Sequence, residues 1–371
     1  MLSKPLHLGL VRRGYSPSGG AESYLKRLGQ GVRGAGHQAR LFTTGEWPAS
    51  EWSWGGITRV AADSAIAFAD EMKRLRTQRD CDLLISLERI WECDLYRAGD
   101  GVHLAWLERK KHFQTALERV AERFTRKHRD LLRLEESLFA RMKARRVVVN
   151  SQMIKGQIIE SYGYPADRID IIYNGVPVAE FLGASADREN SRRKFGIAAR
   201  EIVVLFAGTG WERKGLRFAI EAIAGLNDPR FRLLVAGRGN DRKFRAKGVY
   251  FLGEQSDLRP AYAAADIFLL PTLYDPFSNA CLEALASGLP VITTRHNGFS
   301  EIIEDQVHGS IVDRADEVQA LRAALLYWAD EDQRAASRPA ILARAAEFDI
   351  SRNVDRTLAI ISQVAASAAS T

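Results

Sequence analysis

Cysteine is scarce in this 371-residue chain, with Cys81, Cys93 and Cys281 only. The count is odd and no pair has Cys-x-x-Cys spacing, which argues against a disulfide framework and a cysteine-built zinc site and suits a reducing cytoplasm. No apolar run approaches the roughly 18 residues a bilayer span needs. The first apolar stretch, Leu6 to Val11, is interrupted by His7 and followed by Arg12 and Arg13, so no secretory core of useful length is present. The expected location is therefore the cytoplasm, including the cytoplasmic face of the inner membrane. Seven histidines form no His-x3-His pair, so no zinc site is expected. No nucleophile elbow and no Ser/His/Asp order occurs, and the absence of Gly-x-Gly-x-x-Gly counts against a nicotinamide or flavin cofactor. Asp80-Cys81-Asp82 has the Asp-x-Asp form of some metal-dependent enzymes, but it precedes a strand and reads as structural. There is no short-period repeat, and the one low-complexity tract is the Ala/Ser tail from Ala365 to Thr371.

The composition is that of an ordinary globular protein, 46% apolar and 27% charged. Its length suits two domains. The net charge of +7 is unevenly spread. Residues 1–172 hold 29 Lys/Arg against 21 Asp/Glu, and residues 173–371 hold 24 against 25. A basic first half beside a neutral second half suggests an anionic partner for the first. Strand and helix patterns alternate throughout, as in a mainly parallel sheet covered on both faces. Strands are predicted at Leu6 to Val11, Ala39 to Thr43, Leu83 to Ser86, Val147 to Asn150 and Arg168 to Ile172, with a helix over Ala21 to Arg33. Tyr173 to Asn190 has the Asn-Gly, Pro and Gly-Ala-Ser composition of a linker. The alternation restarts with strands at Ile202 to Ala207, Arg232 to Ala236 and Val249 to Leu252, and a last helix is predicted from about Ser351 to Val364.

Leu269 to Thr294 carries the most chemistry. Ile267 to Leu270 reads as a buried strand, Pro271 to Pro276 as its exit loop, Ser278 to Ser287 as a helix closed by Gly288, and Pro290 to Thr294 as the next strand. Ligands of open α/β sheets bind beyond the carboxyl ends of the strands, which is where Asp275 falls; Glu283 follows eight residues later. Taken alone, Asp275 also suits a helix cap and Glu283 a solvated helix face. Phe206 to Leu216 places Arg213 and Lys214 at a helix start. Cations there oppose the helix dipole by roughly a few tenths of a kcal/mol unless an anion lies between them. After the first strand, Gly19 and Gly20 open a helix, where backbone N–H groups approach a phosphate without Cβ obstruction; a simple tight turn explains them equally well.

These segments resemble the retaining nucleotide-sugar glycosyltransferases of family 4. The resemblance implies the GT-B fold, α/β with two doubly wound Rossmann-like domains facing a central cleft. The N-terminal acceptor-side domain would comprise 1–172 plus 351–371, and the C-terminal nucleotide-sugar donor domain 173–350. Asp275 would contact the donor sugar, loop amides of Phe277, Ser278 and Asn279 its hydroxyls, and Glu283 the ribose. Gly19, Gly20 and Lys214 would hold the diphosphate. Two positions depart from the family pattern, Asp275 where Glu is usual and Ser278 where Gly is usual. Many members carry an Arg five residues before the lysine, where this chain has Thr209, and Arg213 supplies the charge instead. Arg213-Lys214-Gly215, Cys93 to Asp100, Val235 to Arg238 and Asp241 to Phe244 are similar to the lipopolysaccharide core glucosyltransferases that act on inner-core heptose. No cofactor and no metal is implied beyond the nucleotide-sugar co-substrate, UDP-glucose or a related UDP-sugar.

Asp100 and His103, preceded by Arg97, form a candidate acceptor-side catalytic cluster, with a structural histidine as the alternative. Glu108 to Arg146 holds thirteen Lys/Arg and six acids. Apolar residues recur at Phe113, Leu117, Val120, Phe124, Leu131, Leu138 and Met142, so the stretch is predicted as two amphipathic helical pieces. Its basic face is either solvated or drawn to an anionic membrane or an anionic glycan or glycolipid acceptor. The overall expectation is a retaining hexosyltransferase acting on a lipid-linked or cell-envelope glycan. The competing class is a basic nucleic-acid- or membrane-binding protein on a non-catalytic scaffold. Lys/Arg set along helices without interleaved aromatics, and no nucleic-acid module, count against nucleic acid as a partner.

Overall fold

A computed structural model describes residues 5–16, 20–77, 81–115 and 125–369. The chain divides into two compact units, Met1–Tyr173 with Asn353–Thr371, and Asn174–Arg352. Each is built on one parallel sheet.

The first unit contains β1 (His7–Val11), α1 (Gly20–Gly34), β2 (Gln38–Thr43), β3 (Gly55–Arg59), α2 (Ala65–Thr77), β4 (Leu83–Ser86) and β5 (Cys93–Arg97). It continues with α3 (His103–Lys111), α4 (Arg126–Leu138), β6 (Ala144–Val149), α5 (Gln152–Tyr162) and β7 (Ile169–Ile171). The sheet order is β3-β2-β1-β4-β5-β6-β7. Central strands such as β4, Leu-Leu-Ile-Ser, are buried along their whole length, as expected where helices cover both faces.

The second unit contains α6 (Val178–Ser185), α7 (Arg188–Lys194), β8 (Ile202–Ala207), α8 (Leu216–Leu226), β9 (Phe231–Ala236) and β10 (Val249–Gly253). Then follow α9 (Arg259–Ala264), β11 (Ile267–Leu270), α10 (Asn279–Ala286), β12 (Val291–Thr294), β13 (Gly309–Val312), α11 (Val318–Ala329) and α12 (Glu331–Ala346). The order β10-β9-β8-β11-β12-β13 reverses direction between β8 and β11, the doubly wound arrangement with its switch point there. In the first unit the reversal lies between β1 and β4. A last helix, α13 (Ile350–Ala369), contributes its residues from Asn353 onward to the first unit. There Thr357 hydrogen-bonds the Tyr24 hydroxyl at 3.0 Å, and a side chain at Gly31 would strike Val354.

Two sequence expectations need correction. Tyr173 to Asn190 is not a linker: it holds α6 and the start of α7. Phe181 supplies the reason, since it is 9% exposed and its ring meets Tyr262 at 5.7 Å, which anchors α6 despite its Gly-Ala-Ser end. The basic stretch is not helical to Arg146, because Ala144 to Val149 is β6 and Met142 adopts φ 54° before it. Three of its thirteen cations are paired within the unit near its end: Arg146 with Asp170 at 2.9 Å, Arg141 with Glu136 at 2.9 Å and Arg145 with Asp94 at 3.7 Å. Leu117, Val120 and Phe124 lie outside the described residues. No helix among the described residues is long and apolar enough to cross a membrane.

Candidate active site

In the second unit, the loops leaving β8 and β11 meet beyond the switch point. Trp211 pins the first loop. Its indole N–H donates to the Gly208 carbonyl at 3.0 Å, and its ring lies against Phe244 and Phe251, with centroids 5.8 and 5.4 Å away. Gly215 then takes φ 78°, and a Cβ there would come within 1.9 Å of the Pro271 carbonyl oxygen. Only glycine permits that approach, which carries the preceding Lys214 to the exit loop of β11. Lys214 forms an ion pair with Asp275, both side chains being largely buried. The neighbouring Arg213 donates to the Tyr274 carbonyl at 2.9 Å, and its own carbonyl accepts from the Leu273 amide at 2.8 Å. An anion thus does lie beside the two cations at this helix start, and Asp275 supplies it.

Asp275 is 5% exposed and does not cap α10. The cap is Ser278, whose hydroxyl accepts from the Cys281 amide at 3.4 Å. The peptide of Asp275 is fixed on both sides: its N–H donates to the His296 carbonyl and its carbonyl accepts from Gly298, each at 2.9 Å. Asn297, fully buried, holds the same turn. Its side-chain oxygen accepts from the amides of Ser278 at 3.1 Å and Phe299 at 3.2 Å, and its amide nitrogen donates to Thr293 at 3.0 Å. In this structure the Ser278 N–H donates to Asn297. Phe277 is buried with its ring 5.8 Å from Phe299, while Asn174 donates to the Phe277 carbonyl at 3.3 Å and to the Asn279 side chain at 2.7 Å.

Glu283 is not on a solvated face. It accepts a hydrogen bond from the buried Tyr262 hydroxyl at 2.8 Å, and burial pushes its carboxyl up to about 7 against the opposing effect of that bond. A carboxyl kept partly protonated at neutral pH stands ready to accept hydroxyl donors once ionised.

The first unit assembles a different cluster at the carboxyl ends of β1, β4 and β5. Arg12, just past β1, lies 3.2 Å from Glu22, 3.4 Å from Glu88 and 3.7 Å from Asp100. Burial raises the Glu88 carboxyl above the ordinary range, with Asp100 adding to the effect and Arg12 opposing it. Gly20 opens α1 beside this cluster; Gly19 lies outside the described residues. Beneath, Glu135 is fully buried and accepts from Arg89 Nε at 2.9 Å, the Tyr162 hydroxyl at 2.9 Å and the first amides of α3, His103 at 2.5 Å and Leu104 at 3.2 Å. Arg89 in turn donates to the Gly101 carbonyl at 2.7 Å. A helix start capped by a carboxylate from another helix fixes the whole segment from Gly101 to Leu104.

The expected grouping of Arg97, Asp100 and His103 is redistributed. The Arg97 guanidinium lies over the Tyr24 ring at 4.0 Å, Asp100 faces Arg12, and His103 Nε2 meets His128 Nδ1 at 2.9 Å. Asp80 lies outside the described residues, and Asp82 accepts from the His7 amide at 2.8 Å at the amino edge of the sheet, a structural use. Among the described residues no cluster of three or more His, Cys, Asp or Glu side chains is placed to hold a metal ion. Arg12, Glu88, Glu135, Tyr262 and Asn297 had no motif to mark them, although Asn297-Gly298 directly after a strand carries the signal of a turn.

Two doubly wound units, one with a lysine and two acids beyond its switch point, define a glycosyltransferase of the GT-B class. Residues 18–180 match the family described as Glycosyltransferase Family 4, and residues 201–331 match Glycosyl transferases group 1. The two matches together span most of the chain, which is a glycosyltransferase of the GT-B fold. It is 25% identical over 325 residues to the lipopolysaccharide glucosyltransferase WaaG of Escherichia coli K12, covering 80% of this chain and 83% of WaaG. The crystal structure of WaaG superposes with a TM-score of 0.81 at 22% identity, over 95% of this chain and 99% of WaaG. An uncharacterized glycosyltransferase of Methanocaldococcus jannaschii is 30% identical over 177 residues, 44% of this chain and 45% of its own length, so the match spans about half of that relative. Anabaena HepE, crystallised with UDP and glucose, has the same fold with a TM-score of 0.73 at 19% identity, over 96% of this chain and 99% of HepE.

Proposed function

We propose that the protein is a retaining hexosyltransferase that moves glucose from UDP-glucose or a related UDP-sugar to a hydroxyl of a lipid-linked or cell-envelope glycan of the lipopolysaccharide core type. The observation that carries this reading is the ion pair of Lys214 with Asp275 beyond the carboxyl edge of the second sheet, with Glu283 on the helix that follows. The likeness to WaaG over four-fifths of the chain supports the choice of hexose and acceptor class.

In this reading the second unit is the donor unit. Lys214 takes the diphosphate, Asp275 a hydroxyl of the donor sugar and Glu283 the ribose hydroxyls. Arg213 adds positive charge beside the leaving group. The acceptor oxygen attacks C1 from the side the nucleotide leaves, the C1–O bond to the diphosphate breaks as the new glycosidic bond forms, and the departing phosphate oxygen takes the acceptor proton. Lys214 carries most of the protein's contribution, since it stabilises charge that grows on the leaving oxygen. No resident cofactor enters. The first unit is the acceptor unit, with the segment from Asp100 to His103 serving the acceptor. The remaining exposed cations of the 108–146 stretch draw the enzyme to anionic lipid on the cytoplasmic side, where such acceptors are made.

Thermal shifts with a panel of nucleotides and nucleotide sugars test the donor side. A ligand at 100 times its dissociation constant raises stability by about 2.7 kcal/mol, and UDP and UDP-glucose should give the largest shifts. Equal shifts with adenine and guanine nucleotides would sink the uridine assignment. Donor hydrolysis unchanged in both Lys214→Ala and Glu283→Ala would sink the site. Co-sedimentation with anionic but not neutral vesicles is expected for membrane attraction, and equal recovery would remove it.

A further inference from the structure

Tyr262 is a buried phenol for which the reading above has no role. It is 1% exposed on α9, and its ring packs between Phe181 and Phe268 at 5.7 and 5.8 Å. Phenylalanine would fill that space without bringing a hydroxyl that must find partners in the interior. The hydroxyl is shared by two acceptors on α10, the Ala280 carbonyl at 3.2 Å and Glu283 Oε2 at 2.8 Å. These acceptors lie one turn apart on the same helix, so the phenol ties the Glu283 side chain to a fixed place along it.

We propose that Tyr262 is the positioning residue of the donor site, holding Glu283 through Oε2 so that its carboxylate receives the ribose hydroxyls of the nucleotide. The proposal rests on the reading of Glu283 as the ribose acceptor. A short hydrogen bond to a carboxylate both orients it and favours its ionised form, which is the form that accepts a diol. Burial pushes Glu283 up to about 7, and the Tyr262 hydroxyl is what acts the other way.

Charged groups on the elements packed against α10 have other partners, apart from Glu331 and Asp332, which are exposed in the first turn of α12. Glu180 on α6 lies 3.5 Å from Arg259 on α9. On α12, Arg338 donates to the carbonyls of Ser287 and Gly288 at 3.1 and 3.2 Å, Arg334 to that of Trp328 at 2.7 Å, and Arg344 to Glu347 at 2.7 Å. Strands β11 and β12 carry no charged residue. Cys281, on α10 itself, is held neutral by burial, which raises its thiol to about 12.

The ribose is common to all nucleotides, so the test does not depend on the base. UDP, ADP and GDP are titrated by calorimetry into wild type, Tyr262→Phe and Glu283→Gln between about pH 5.5 and 8.5, following whichever binds wild type most tightly. Titration of the phosphates is the same for all three proteins and cancels in comparison with Glu283→Gln. Relative to that variant, wild type should lose affinity as pH falls through about 7, by up to about tenfold per pH unit. Tyr262→Phe keeps the ring packing but loses the hydroxyl, so its midpoint should move to higher pH and its affinity at pH 7 should fall about tenfold, the deficit shrinking as pH rises. An unmoved midpoint, or a loss of equal size at every pH, would overturn the proposal and leave Tyr262 a packing residue. If no nucleotide binds wild type, or Glu283→Gln binds as wild type does throughout, the reading of Glu283 fails instead.

Discussion

The carboxyl edges of the two sheets carry opposite electrostatic arrangements. In the second unit one lysine meets one acid, and a second acid sits apart under a phenol. In the first, one arginine is ringed by three carboxylates, Glu22, Glu88 and Asp100, although this unit supplies the basic excess of the chain. Net charge summed over a hundred residues therefore misdescribes the place where chemistry is expected. Several cations of the first unit, Arg141, Arg145 and Arg146 among them, are already paired, and acids gather where its strands end. Carboxylates around a single guanidinium suit hydroxyl-rich sugars, which offer donors, better than free phosphates.

The support beneath each edge differs too, and the largest expected effect follows from it. Arg89 and Glu135 are both buried, and Glu135→Gln leaves the guanidinium without its counter-charge; unfolding in urea should show a loss of about 3–5 kcal/mol. A loss within experimental error would mean that the two edges are supported alike. Next comes Lys214→Ala, expected to lower kcat for donor hydrolysis by about 10²–10³-fold, as the removal of one charge-stabilising donor does elsewhere. An equal loss from Arg12→Ala would erase the contrast between a charge-stabilising second edge and a hydroxyl-binding first one.

The smallest effect has an unusual sign. The folded protein holds the Glu283 carboxyl at about 7 against the ordinary 4.5, so its contribution to stability is present in acid and lost as pH rises from the unfolded value through the folded one. Glu283→Gln should thus melt about 2–5 °C above wild type at pH 8 and show no such gain at pH 5. If the gain is the same at both pH values, Glu283 is not held partly protonated by the fold.

Much of this architecture was legible. Apolar runs such as Ile202 to Ala207 and Ile267 to Leu270 declared buried parallel strands, and Gly288 closed the helix before β12. Of the four edge strands, β7 and β10 showed but β3 and β13 did not: β3 begins with Gly55-Gly56 and β13 is four residues opening on Gly309, so neither has an apolar run. The helix α6 was hidden because Phe181 earns its place through Tyr262, some eighty residues away. The same reason explains what was missed around the site. Lys214 stood out at a helix start, Asp275 at a strand exit and Glu283 by its spacing from Asp275, while Tyr262, Asn297 and Glu135 act through partners in other elements, and side-chain pairing across elements leaves no local spacing to read.

One feature of the first unit governs the order in which the protein is made. Its helix α1 packs on α13, through Gly31 against Val354 and Tyr24 with Thr357, and α13 follows the whole of the second unit in the chain. The second unit is continuous from Asn174 to Arg352 and has all its strands before α13 leaves the ribosome. The first unit is begun earliest and completed last, so during synthesis it must wait with the α13-facing side of α1 uncovered while its neighbour folds.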